Sequence, residues 1–201
     1  MFKPGDLYLS IVDLFAIIIP GGLLIFSIYY NFGPSLDTLF QLSATQKSVA
    51  LFLLSYFFGH VIAFFAERID KSRGVNWITP GVKQSHWEQV RKIRAMLDET
   101  MPNSISIYQW SRSVLMNVSP ESMSDVNRIV ASTDFYRNLY LVFPLAAVFS
   151  FAKTNWVLGG IFFLLTFPCL YFSASGRHKL HRRIGQHIVV LYNLGKLRTG
   201  G

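Results

Sequence analysis

ERIDKSRGVNWITPGVKQSHWEQVRKIRAMLDETMPNSISIYQWSRSVLMNVSPESMSDVNRIVASTDFYR, residues 67–137, is the polar middle of a largely apolar chain. It carries ten of the nineteen Lys and Arg residues and lies between two pairs of long apolar runs. Basic enrichment beside apolar runs marks the cytoplasmic side of a bilayer. The expected fold class is therefore all-α and integral to the membrane, with four transmembrane helices as two hairpins joined by a cytoplasmic helical connection.

Composition agrees. Of 201 residues, 51% are hydrophobic, eighteen are Phe and only 15% are charged. A soluble domain carries about a quarter charged residues. The first span is expected over Tyr8–Tyr30, which reaches ~34 Å as a helix. The others are expected over Ser48–Ala66, Phe135–Ala152 and Trp156–Ser173, so the chain divides into a first hairpin (1–67), the connection (68–134), a second hairpin (135–175) and a basic tail (176–201). Residues 31–47 read as a loop in which Ser35–Leu42 form at most a turn or two of helix.

Within the connection, Ser85-His86-Trp87-Glu88 has the form of a capping box opening a helix to about Thr100. A second helix is expected from Ser104 to Asn117. A third follows Ser119-Pro120 to about Ser132, with Pro at the first helical position. Asp134 is placed to cap the third span, and Arg137 to reach the interface. In the tail, Ile184, Ile188, Val189, Leu191 and Tyr192 recur at helical spacing behind a basic run. That pattern predicts an amphipathic helix on the inner membrane surface, with Arg177, Lys179, Arg182 and Arg183 meeting anionic lipid head groups.

Orientation follows from charge. With both termini inside, Lys3, the ten basic residues of the connection and six in the tail face one side. Lys47 and Lys153 face the other. This seventeen-to-two split points to a multi-pass inner-membrane protein with both termini cytoplasmic.

Four constellations carry chemistry or packing. Asp13 and His60 lie at matching depth on consecutive antiparallel spans, as an interhelical hydrogen bond or as part of a path for protons or ions. Pro20, Gly21 and Gly22 predict a kink or break near mid-membrane, or a point of close packing. Ser55, Gly59 and Ala63 form a small-residue stripe suited to the helix of another copy. Trp87 and Trp110 offer aromatic faces to a partner protein. No nucleophile, metal or phosphate-loop motif occurs, so an enzyme, a metal centre and a cofactor are not expected. The lone Cys169 allows no internal disulfide. Basic residues cluster at membrane edges and not on a soluble module, which argues against direct nucleic-acid contact.

The layout of the whole chain resembles that of small four-span inner-membrane proteins of bacterial antiphage defence operons, the Kiwa membrane-subunit type. It is a likeness of layout with no motif to carry over residue by residue. It implies a homo-oligomer that senses membrane disturbance or alters permeability together with a cytosolic partner. Two other readings remain open: a small ion channel or transporter with Asp13 and His60 along the path, and a plain membrane anchor.

The charge split yields a direct expectation. With Cys169→Ser as background, a single cysteine at Ser43 should react with an impermeant thiol reagent in intact cells, and one at Ser122 should not. Labelling at Ser122 alone would reverse the topology.

Overall fold

A computed structural model describes residues 4–37, 43–72, 85–97 and 105–197, with side chains described over 14–33, 43–70, 87–97 and 105–197. Six helices contain nearly all of these residues: α1 Pro4–Asp37, α2 Ala44–Ser72, α3 Ser85–Leu97, α4 Ile107–Val118, α5 Pro120–Ala152 and α6 Trp156–Asn193. Four of them, α1, α2, α5 and α6, are long and apolar enough to cross a membrane. The chain is an all-α, multi-pass membrane protein.

Each expected span falls within one of these helices, but the helices are longer than the spans. α1 runs on to Asp37, into the stretch read as a loop. The third connection helix and the third span are one helix, α5, and the fourth span and the basic tail are another, α6. Asp134 is therefore not a cap. It sits within α5 and pairs with Arg137 one turn later at 3.0 Å, so Arg137 does not extend freely toward the interface. At ~1.5 Å per residue these two helices measure ~50 and ~57 Å against ~30 Å of hydrocarbon. Their apolar halves, Phe135–Ala152 and Trp156–Ser173, suffice to span.

The chain forms two compact units, residues 1–78 with 131–174, and 79–130 with 175–201. The first holds α1, α2 and the apolar halves of α5 and α6. Its outer surface is what a protein in water avoids: Phe52, Leu53, Phe57, Phe64, Leu164 and Phe167 are all exposed. Such a surface suits a hydrocarbon solvent.

Inside the first unit, α1 and α2 touch at backbone distance. A Cβ at Gly21 would overlap the Ser55 carbonyl and stand 2.7 Å from the Gly59 nitrogen. A Cβ at Gly59 would overlap the Ile17 carbonyl and stand 2.7 Å from Ile17 Cγ2. Pro20, fully buried, does not break α1, which continues through it. Its ring nitrogen has no proton to give the carbonyl one turn back, that of Ala16. Asn138 of α5 supplies the missing donor, its Nδ2 bonding the Ala16 oxygen at 3.0 Å. Leu24, Ile62 and Val142 pack as one cluster, and Leu139, Tyr140, Phe143 and Cys169 as another.

The α5–α6 turn is tight. Asn155 donates to the Ser150 carbonyl and Thr154 to that of Phe151, the paired bonds of a Schellman ending with Thr154 at φ +61°. Asn155 then accepts from the Leu158 amide and so starts α6. The far end of α6 closes the same way with Gly195, at φ +72°, where no Cβ resists the conformation.

In the second unit, Val90 and Ile93 of α3, Trp110 and Leu115 of α4, Met123 and Val126 of α5, and Leu180, Ile184, Ile188 and Leu191 of α6 form one buried core. The apolar face of the tail is thus spent inside the protein and is not free to lie on a membrane. α4 begins with a full capping box, Ser106 and Gln109 exchanging side-chain and backbone bonds, and Ser43 and Gln46 do the same at α2.

Asn138→Leu should destabilise the purified protein by about 1–3 kcal/mol, because the buried Ala16 carbonyl is left without a donor. In a Pro20→Ala background the amide at position 20 restores the helical bond. The same Asn138→Leu change should then cost less by ~0.5 kcal/mol or more in detergent unfolding. Additive losses would show that Asn138 does not serve the proline gap.

Candidate functional site

The sequence-level sites disperse in the structure. Ser55 and Gly59 of the small-residue stripe are buried against α1 of the same chain, so they build the hairpin and not an interface between copies. Ala63, one turn on, is half-buried. The reason is that Gly21 and Gly59 each remove a Cβ at the same crossing, and spacing alone cannot tell which helix will use a stripe. Pro20, Gly21 and Gly22 likewise serve packing. The side chain of Asp13 lies outside the described residues, so its pairing with His60 is not described. His60 itself is exposed on α2, and its ring meets Tyr56 edge-on with centroids 4.6 Å apart.

Trp110 is no docking residue, being only 5% exposed within the core of the second unit. Trp87 is half-buried and packs edge-on against His181 at 5.6 Å. Tyr108 covers the same imidazole at 5.4 Å. Burial between these rings lowers the pKa of His181, with His178 and Arg177 adding to the effect. His181 is therefore kept neutral as a packing residue. Among the described residues, no group of three or more His, Cys, Asp or Glu side chains converges on a metal-sized site.

What the second unit does assemble is a polar cluster between α5 and α6, outside the apolar halves of both. Arg183 Nε donates to Asp125 Oδ2 at 2.7 Å, and His187 Nε2 lies 3.5 Å from the same oxygen. The hydrogen bond from Arg183 holds the Asp125 carboxyl below its usual range, with His187 contributing less. Two grooves flank the cluster and share Arg183 and Gln186. One, of about 450 Å³, has apolar walls from Val189 and Val190, and the other, of about 360 Å³, is lined by Lys179 and Arg182. Of the residues expected at lipid head groups, Lys179 and Arg182 are exposed, Arg183 is tied to Asp125, and Arg177 is half-buried. The Asp125–Arg183 pairing joins residues 58 positions apart and has no local signature in sequence.

Comparison with protein-family models, with curated proteins and with solved structures finds no match to the chain.

The environment of His181 has a pH consequence. A base whose folded pKa lies below its unfolded value binds more protons when unfolded, so stability is complete above that unfolded value and declines as pH falls through it. For His181 the decline begins near 6.5. Thermal unfolding followed by tryptophan fluorescence should therefore show wild type losing more stability than His181→Phe between neutral pH and about pH 5. Equal losses would show that His181 is not held neutral by its aromatic neighbours.

Proposed function

We propose that the chain is a subunit of a homo-oligomeric assembly in the bacterial inner membrane, with both termini and the second unit in the cytoplasm. It acts in antiphage defence, sensing membrane disturbance or altering permeability together with a cytosolic partner protein. The observation that carries the oligomer is the outward position of His60. Ionisable side chains in membrane helices face protein partners or water, because hydrocarbon offers their polar atoms nothing. Here an imidazole and a tyrosine share an exposed face of α2 that is otherwise Phe52, Leu53, Phe57 and Phe64. A neighbouring copy satisfies such a face better than lipid does.

The exposure of His60 on α2 favours a partner outside its own chain over a path enclosed within one subunit. Any permeation route in this reading runs between copies. The second unit, with its own hydrophobic core, is a folded module beyond what anchoring requires, which favours a working partner over a plain anchor. The antiphage role rests on the resemblance of layout.

Single cysteines at Phe57 or His60, in the Cys169→Ser background, should cross-link into dimers in native membranes, whereas one at exposed Leu164 of α6 should not. The protein should also elute from mild detergent as an oligomer and lower phage plating when expressed with the product of its neighbouring gene. A monomer in several detergents that conducts ions alone in liposomes would overturn the assembly and favour the transporter reading.

A further inference from the structure

The polar stripe of α6 opposite its core stripe is organised in a way that a solvated surface does not require. Lys179, Arg182, Arg183 and Gln186 follow the i, i+3, i+4, i+7 spacing that places side chains on one helix face. All four line one groove, which Asp125 and Ile129 of α5 close from the other side. Three cations face a single carboxylate there, and that carboxylate is engaged. Asp125 accepts from Nε of Arg183, which fixes the guanidinium plane while leaving the side chain 51% exposed. The bond to Asp125 is made through Nε, and no hydrogen bond from a terminal amino group is found among the described residues. Lys179 and Arg182 are exposed, with no ion pair among the described residues.

A guanidinium held at Nε presents a fork that matches two oxygens of a phosphate, and flanking cations add charge without fixed geometry. Beyond Arg183 the neighbouring groove turns apolar at Val189 and Val190. We propose that this groove binds the phosphate group of a phosphomonoester, with the organic body of the ligand lying along Val189 and Val190. Arg183 is the orienting contact, and Lys179 and Arg182 supply attraction. The chemistry is shared by two sources: a soluble phosphomonoester such as a nucleoside monophosphate, and a lipid with a terminal phosphate. This inference is independent of the assembly reading, since every residue it uses belongs to the second unit of one chain.

Full-length protein in nonionic detergent would be titrated with AMP and with inorganic phosphate by thermophoresis. The protein in phosphatidylcholine nanodiscs would be compared with and without phosphatidic acid. Binding of AMP assigns a soluble ligand, and binding of phosphatidic acid alone assigns the lipid. In either case Lys179→Gln with Arg182→Gln should weaken it about tenfold or more. Arg183→Lys keeps the charge but loses the fork, and should weaken binding as well. Both sets of positions are on the surface, and tryptophan fluorescence of Trp110 reports whether the core of the second unit is kept. No binding of any of the three probes overturns the proposal, as does binding unchanged by the double substitution. Undiminished binding by Arg183→Lys would also overturn it, because the groove would then be only a diffuse cationic surface.

Discussion

A proline inside a membrane helix leaves a carbonyl that hydrocarbon cannot satisfy, and the first unit is arranged around meeting that demand. Ala16 loses the amide that residue 20 would have donated, and the amide side chain of Asn138 takes its place. One residue later Gly21 opens a neighbouring face of the helix to the α2 backbone at Ser55 and Gly59. Two adjacent residues thus set two contacts of different kinds. Pro20 draws in α5 by a hydrogen bond, and Gly21 draws in α2 by the absence of a side chain. The Leu24–Ile62–Val142 cluster joins the same three helices.

The second unit meets a different constraint. Its segments are short, and none could bury enough apolar surface alone. α5 and α6 solve this by continuing past their apolar halves as helix, so that Val126, Ile184 and Ile188 arrive already fixed in helical geometry. Helical order that propagates from an existing helix avoids the cost of a new nucleus.

Much of this was legible in sequence, and the misses have physical causes. The spans follow from length and hydropathy, which depend on local composition. Apolar faces on α3 and α4 are also readable from the helical spacing of Val90 with Ile93 and of Ile107 with Trp110, although Trp110 is expected from sequence to face a partner. What covers these faces is not readable, because periodicity gives a face and never its occupant. Asp134 and Arg137 look like a helix boundary beside an apolar run, yet their pairing one turn apart lets the helix pass through. The Ser-x-x-Gln boxes at Ser43 and Ser106 are local signals of the same kind as the Ser-x-x-Glu at Ser85. Asn138 was harder. A single amide in an apolar run reads as an interruption until Pro20 is seen as the group that needs it.

That bond also has a consequence for how the protein is made. Its two residues are separated by 122 positions, and synthesis proceeds at ~5–20 residues per second. After α1 enters the bilayer, the Ala16 carbonyl therefore waits ~6–24 s for its permanent partner at that rate. Through that interval the first hairpin holds an open polar site in an apolar medium, met only by water, the insertion machinery or a transient neighbour. The helix that inserts first is completed by the third to arrive, which makes the second hairpin a late-arriving clasp for the first.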